Sequence, residues 1–351
     1  MLHFGKNSFG IDIGTQSIKI AEVKKQGKQY HVVNYVMWND DSNEVVQDKS
    51  GEHNSSNNYI AEILQAMIEK AGMNPSEAYF SLPSYLAFSS LVTFPVMNAE
   101  ELDASVRYEA KNHIPVSIDQ VQVDWLNLGA TSDGDKLNIL IMALPNRVFS
   151  KYEQIAEKAG ITIKGMELEI FSQLRVTDIP PKPTCMIDFG ARNTTITLFD
   201  EKHQLFGFRS FDVGGNHITE KLAKMKSIPM NEAEHMKKQY GLTGEDKEVI
   251  RAIDTIIYPL LSKELGGMLK DYYDYHQTQI QNVVLLGGLS RMKNLRKYVY
   301  TRMVNYNSNI SSISVSVGNP SGDLTVNKEL SDKFTNQVWR DLSLALGVAI
   351  K

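Results

Sequence analysis

The residues best suited to chemistry are two aspartates, Asp12 and Asp188, each followed two positions later by a glycine at the end of an apolar run. The first stands in Phe9-Gly-Ile-Asp-Ile-Gly-Thr-Gln-Ser-Ile-Lys-Ile20, where an alternating run breaks at Asp-x-Gly-Thr-x-Ser and then resumes. That pattern predicts a strand, a tight polar turn and a returning strand. Gly14 has no Cβ, so a bound group can approach the backbone closely. Thr15, Gln16 and Ser17 surround the turn with N–H groups and hydroxyls, a concavity suited to phosphate oxygens. Asp12 is placed to meet a cation that accompanies those phosphates. An ordinary hairpin turn would carry the same local sequence, so a second copy matters.

That copy follows the densest proline cluster, Pro180-Pro181-Lys182-Pro183, and reads Ile187-Asp188-Phe189-Gly190-Ala-Arg192-Asn193-Thr194-Thr195 before a β-run. Two Asp-x-Gly hairpins, each opening one half of the chain, point to a duplicated fold. A third glycine-containing strand end, Leu286-Gly287-Gly288-Leu289-Ser290, lies further on. Ligands of open α/β sheets sit at the carboxyl ends of strands. Two opposed phosphate turns would grip a polyphosphate from both sides. Asp12 and Asp188 would hold a hydrated Mg²⁺, which prefers one or two carboxylates plus water and phosphate oxygens. Gly287 and Gly288 would leave a flat surface for an adenine ring. The chain contains no G-x-x-x-x-G-K-[ST], which excludes a P-loop protein.

The elements that must position these residues follow from periodicity. Residues 29–37 alternate as a third strand, 39–58 are polar and read as a solvated loop, and a helix around Ile60 to Ala71 stops at Gly72. From 78 to 159 the rhythm changes. Strands at 78–82 and 87–94 precede a helix opened by the capping-box pattern Asn98-Ala-Glu-Glu101 and running to about 112. Strands at 120–128 and 136–144, joined through 131–135, then lead into a helix at 147–159, ended by Gly160. A strand at 161–168 follows. In the second half, a strand at 206–213 ends at Gly214-Gly215 before a helix at 216–225. Asn231-Glu-Ala-Glu234 is a second capping-box pattern. A long helix spans 245–276, with Pro259 and Gly266-Gly267 as candidate kinks. A buried strand at 283–286, a helix at 291–303 and a final helical segment at 334–350 complete the chain.

Composition bounds the rest. The chain has 351 residues, 42% apolar and 22% charged, as in a globular protein with a large core. A formal net charge of −4 argues against a nucleic-acid protein, whose footprint is strongly basic. No run approaches the ~18 apolar residues that would cross a bilayer, and the opening Met1-Leu-His-Phe-Gly-Lys6 lacks the order of a secretory signal. The single cysteine, Cys185, lies in an apolar strand and fits a reducing compartment. The expected location is the cytosol.

Taken together, these motifs resemble the actin-like ATPase superfamily, which includes actin, Hsp70, sugar kinases and FtsA. Asp12-Ile-Gly14-Thr15-x-Ser17-x-Lys19 resembles its first phosphate motif, Asp188-Phe-Gly190 through Thr194-Thr195 its second, and Gly287-Gly288-Leu-Ser290 its adenosine motif. Ala233-Glu234-x-x-Lys237 resembles the helix that reaches the ribose and adenine in bacterial members. Glu169 falls where the family carries a water-positioning acid, although Ile170 replaces the usual proline. Within the superfamily, Phe94-Pro95-x-Met97-Asn-Ala-Glu100-Glu101-Leu102 and Arg107-x-Glu109-Ala110-x-x-x-Ile114-Pro115 resemble the PilM family of type IV pilus assembly proteins.

The resemblance implies an α/β, ribonuclease H-like fold of two lobes with an inserted FtsA/PilM-type SHS2 module. Subdomain 1A would comprise 1–77 with 160–180 and the C-terminal helix 334–351. The module would be 78–159 and the second lobe 181–333, with its outer subdomain at roughly 216–280. ATP and Mg²⁺ are the implied cofactors. Asp12 and Asp188 would hold the metal, and with Glu169 would stand nearest any hydrolysis. Gly14, Thr15, Gln16, Ser17, Lys19, Gly190, Asn193, Thr194, Thr195, Gly214, Gly215, Glu234, Lys237, Gly287, Gly288 and Ser290 would contact the nucleotide. Bulky Arg192 and Asn193 stand where strong ATPases carry glycines, which implies slow turnover at most. The implied partner is the short cytosolic tail of a PilN-like bitopic inner-membrane protein, held in a groove between the first subdomain and the module. Its lining would come from 88–96 and the helix around Val106 and Tyr108. Other platform proteins or a pilus motor ATPase are further partners that the resemblance allows. The protein would then sit at the inner face of the inner membrane through its partners, without inserting. An FtsA-like division protein and a small-molecule kinase are the rival readings.

Overall fold

A computed structural model of the chain describes residues 7–39, 54–131, 134–306 and 313–351. The middle of the expected 39–58 loop and two residues of the 131–135 turn lie outside them. The chain forms two compact units, residues 1–177 with 320–351, and residues 178–319.

In the first unit, β1 (Ser8–Ile13), β2 (Ser17–Gln26) and β3 (Gln29–Asn39) form an antiparallel meander. The helix α1 (Asn54–Ala71) follows and begins six residues before Ile60, taking in Asn54 to Asn58, which the sequence assigns to a loop. β4 (Glu77–Leu82) then lies parallel to β1. It therefore belongs to the main sheet, and not to the inserted module as its position in 78–159 suggested.

The module proper contains β5 (Phe88–Pro95), α2 (Ala99–His113), β6 (Val121–Ala130) and β7 (Lys136–Pro145). The expected capping box is present: Glu101 N–H donates to Asn98 Oδ1 at 2.9 Å, and Asn98 N–H donates to Glu101 Oε2 at 3.3 Å. The strands form a sheet of order β5-β7-β6. Phe94, Ile139, Ile141 and Val121 on one face pack against Leu102, Val106 and Ala110 of α2. Next, α3 (Asn146–Lys158) leads into β8 (Thr162–Leu168), which pairs parallel with β4, and then α4 (Glu169–Val176) begins.

The second unit repeats the plan. β9 (Thr184–Phe189), β10 (Thr194–Phe199) and β11 (Leu205–Phe211) form a meander, and β12 (Asn282–Leu286) runs parallel to β9. β13 (Ser314–Val317) pairs parallel with β12. The strand orders β3-β2-β1-β4-β8 and β11-β10-β9-β12-β13 therefore match in direction, strand by strand. This is the duplication that the paired Asp-x-Gly hairpins predict.

Helices of this unit are α5 (Gly215–Lys226), α6 (Met230–Tyr240), α7 (Lys247–Pro259), α8 (Gly266–His276) and α9 (Leu295–Tyr306). Asn231 does not cap α6; Pro229 holds that position and the helix begins at Met230. Pro259 does not break the long helix. Leu260–Leu265 forms a π-helical segment between α7 and α8, which accommodates the missing N–H and buries Leu260, Leu261 and Leu265. α9 starts at Leu295 because residues 288–291 form a short 3₁₀ turn instead.

The second lobe, read as 181–333, ends at Asn319. β14 (Leu324–Val326) pairs with β3 and returns the chain to the first unit. There α10 (Asn336–Ala349) buries Trp339, Leu342 and Leu346 against β1 and β2. The approach is close: a Cβ on Gly10 would lie 1.9 Å from the carbonyl oxygen of Ala345.

Candidate functional site

The two Asp-x-Gly turns have the same geometry. Gly14 N–H donates to the Ser17 carbonyl at 2.9 Å, and Gly190 N–H donates to the Asn193 carbonyl at 2.9 Å. A Cβ on Gly190 would sit 2.8 Å from that carbonyl, so the second turn requires glycine on steric grounds.

In the first unit, Asp12 is buried at 2% exposure and its Oδ2 accepts from Lys19 Nζ at 2.7 Å. Lys19 neutralises a carboxylate that would otherwise be costly to bury. Thr15, Gln16 and Ser17 are partly exposed around the turn. On neighbouring strands, Asp12 is the register partner of Ser81, and Ser81 of Glu167. Strand pairing thus lays Lys19, Asp12, Ser81 and Glu167 in a polar row across β2, β1, β4 and β8. Just beyond the row, Glu169 opens α4, and its Oε1 accepts from Ser84 N–H at 3.1 Å. Ser81 and Ser84 carry buried hydroxyls that have no hydrogen-bond partner among the described residues. The sequence reading missed both. Their signal was the Ser-Leu-Pro-Ser at the end of an apolar strand.

In the second unit, several of the residues expected at the nucleotide also build the turn itself. Gly214 is packed so closely that a Cβ would meet the carbonyls of Gly190 and Ala191 at 2.7 Å. At the start of α5, Gly215 N–H donates to Gly190 O at 3.0 Å and Asn216 N–H to Ala191 O at 2.7 Å. These helix N–H groups hold the turn in place. Gly287, at φ +74°, lies under Asp188: a Cβ there would be 2.2 Å from Asp188 Oδ1 and 2.4 Å from Phe189 O. Its conformation and that contact both demand glycine. A Cβ on Gly288 would meet open space.

Other hydroxyls and charges are turned inward. Thr194 Oγ1 donates to Val213 O at 2.6 Å, Thr195 Oγ1 bonds Ser210 Oγ at 2.9 Å, and Ser290 Oγ donates to Gly287 O at 2.7 Å. Lys237, 5% exposed, donates to Gly215 O at 3.0 Å and Thr219 Oγ1 at 2.9 Å, and pairs with Glu234. Burial pulls the Lys237 ammonium below the ordinary lysine range, against the attraction of Glu234. Burial also disfavours the Glu234 carboxylate, but Lys237 and Thr219 outweigh it and hold its pKa below the usual value. The pair therefore ties α6 to the start of α5. Asn193 Oδ1 is buried without a partner among the described residues, so the second turn keeps an acceptor for a ligand or water.

Also in the first unit, a groove of about 1160 Å³ runs between the module and the main sheet. Consecutive β6 residues Gln122 to Leu126 form one wall and β8 the other, with Met142, Phe149, Glu153 and Glu157 between. Among the described residues β6 pairs only with β7, and β8 only with β4, so both strands turn an outer edge outside these ladders toward this space. The expected lining at 88–96 and Val106 is not what forms it. β5 is at the opposite edge of the module's sheet, and Val106 is fully buried in the module core. Trp125 is fixed at the wall by Asp103 of α2, which accepts from its Nε1 at 2.9 Å and from Arg107 Nε at 2.9 Å. Among the described residues, no group of three or more His, Cys, Asp or Glu is arranged to hold a metal, and no helix is long and apolar enough to cross a membrane.

The repeated sheet, the matched turns and an inserted module between β4 and β8 define the actin-like ATPase fold. A chain from the PilM–PilN type IV pilus biogenesis complex is similar over 98% of this chain and 97% of its own, with TM-score 0.79 at 18% identity. The ethanolamine utilization protein EutJ from Carboxydothermus hydrogenoformans is similar over 98% and 89%, with TM-score 0.54 at 14% identity. The family model described as type IV pilus assembly protein PilM matches residues 10–351. The chain belongs to the PilM family.

Proposed function

We propose that this protein is a nucleotide-binding scaffold of a type IV pilus inner-membrane platform, and that its groove captures the cytosolic N-terminal segment of a PilN-like membrane protein. The observation that carries this reading is the pair of strand edges facing one cavity. An extended peptide entering it can bond its main chain to β6 or β8 and place alternate side chains against Trp125, Leu126, Met142 and Phe149. Family membership and the similarity to a chain of the PilM–PilN complex support the same partner. Attachment to the inner membrane would then be through that partner.

ATP with Mg²⁺ is the ligand proposed for the turns. The residues present fit it: Gly190 leaves a cradle that a Cβ would fill, and the Asn193, Ser81 and Ser84 oxygens are buried without partners among the described residues. In the first unit Asp12 would serve a cation, with Lys19 balancing charge beside it; in the second unit Asp188 would do so; and the backbone N–H groups of each turn would meet phosphate oxygens. Lys237 and Glu234 would support the second turn through the start of α5.

Calorimetric titration with a synthetic peptide of the first dozen or so residues of a PilN-like protein tests the groove. Binding to the wild type and its loss in Met142→Arg are expected; equal binding by both overturns the assignment.

A further inference from the structure

β4 ends at Leu82 and β8 ends at Leu168, and these two leucines are register partners that both line the groove. Immediately beyond them the polar cluster begins. Ser84 opens a 3₁₀ turn, Glu169 opens α4, and Ser84 N–H donates to Glu169 Oε1 at 3.1 Å. Ser84 lies past the carboxyl end of β4, which carries Ser81 in register with Asp12 of β1, and Glu169 lies past the carboxyl end of the parallel β8. The buried, unpartnered hydroxyls of Ser81 and Ser84 mark this edge as a place built to meet water or ligand oxygens.

We infer that the Ser84–Glu169 hydrogen bond is the joint through which the nucleotide turn and the peptide groove act on each other. The inference rests on the groove reading above and specifies its regulation. Glu169 has the two neighbours such a joint needs. One residue back along the chain, Leu168 lines the groove, and the Glu169 carboxylate itself holds Ser84, three residues past the Ser81 that is in register with Asp12. Negative charge or ordered water introduced at that edge changes the preferred position of the Glu169 carboxylate. That alters the restraint on Ser84 and hence on Leu82 and Leu168. Two sites joined this way must affect each other's affinity by the same factor. Glu169 is a positioning residue here, whatever its part in turnover.

The test is the ratio of peptide affinities without nucleotide and with Mg²⁺ and a non-hydrolysable ATP analogue, measured by calorimetry on the full chain. The expected wild-type ratio differs from one by at least about fivefold, with the same factor appearing in nucleotide affinity when peptide is present. Glu169→Ala and Glu169→Asp should bring the ratio to within about twofold of one, the size of ordinary non-additivity between separate sites. Glu169→Gln, whose amide oxygen can still accept from Ser84, should retain it. If Glu169→Ala does not fold, Glu169→Asp carries the comparison. A wild-type ratio of one with peptide binding intact overturns the joint, as does an unchanged ratio in Glu169→Asp. Peptide that fails to bind the wild type at all overturns the groove reading itself.

Discussion

Gly287 lies beneath the carboxylate of Asp188 so closely that a Cβ on the glycine would stand 2.2 Å from Oδ1. The end of β12 is thereby a seat for the second Asp-x-Gly turn, and the glycine is fixed by its neighbour as well as by its own φ of +74°. Gly287→Ala should destabilise the protein by at least the ~1–3 kcal/mol that such a backbone conformation costs a residue with a side chain. Displacement of Asp188 should also abolish the thermal stabilisation by Mg²⁺ and ATP. Differential scanning calorimetry with and without ligand separates the two effects.

The Asp12–Lys19 pair gives a second prediction. Lys19→Met leaves a carboxylate of 2% exposure without its cation. Breaking a buried pair in this way costs about 3–5 kcal/mol. Mg²⁺ with ATP should raise the melting temperature of Lys19→Met by more than that of the wild type, because the metal supplies the missing charge. Asp12→Ala should lose the ligand-dependent shift altogether, and an undiminished shift would remove Asp12 from the site.

Much of this arrangement was legible in the chain because strands and tight turns are specified locally. Ile-Asp-x-Gly, repeated, announced both hairpins and the duplication, and Asn98 with Glu101 announced α2. What was not legible depended on pairing between distant segments. β4 reads like a module strand, yet Gly10, Ile11 and Asp12 of β1 claim it for the main sheet. The inward turn of Lys237, Thr194 and Ser290 is decided by which carbonyls lie near them, and spacing does not encode that. That the cavity beside the module is lined by β6 and not by β5 follows from β7 being central in its sheet, which a sequence of three strands does not say.

His276 supplies a pH signature. Its ring stacks on Tyr272 at 4.5 Å and meets Phe206 and Tyr275. Burial holds its pKa below the ordinary value of 6.5, against the pull of Asp200 and Glu201. The unfolded chain therefore binds more protons than the folded one between the lowered folded value and 6.5. Stability should fall as pH drops through that window and recover as pH rises above it. Chemical denaturation of the wild type and His276→Gln from pH 7.5 to 5 should give a shallower slope for the variant.

The last prediction concerns what the groove selects. Glu167 on its wall is matched by Arg175 at 2.9 Å and Lys351 at 3.6 Å, while Asp124, Glu153 and Glu157 add further carboxylates. An extended segment whose apolar residues fill the space beside Trp125 should therefore bind better with a lysine or arginine at its flank. These are rim contacts, so each carboxylate should contribute roughly 0.2–1 kcal/mol, about 1.4- to fivefold in affinity, chiefly at low salt. Glu153→Gln with Glu157→Gln should weaken a peptide with a basic flank and flatten its salt dependence, and leave a neutral-flanked peptide unchanged. Asp103→Ala acts differently. It removes the acceptor that orients the Trp125 indole, so it should weaken both peptides equally at every salt concentration. Fluorescence titration of the two peptides at low and high salt distinguishes charge selection by the rim from apolar anchoring at the wall.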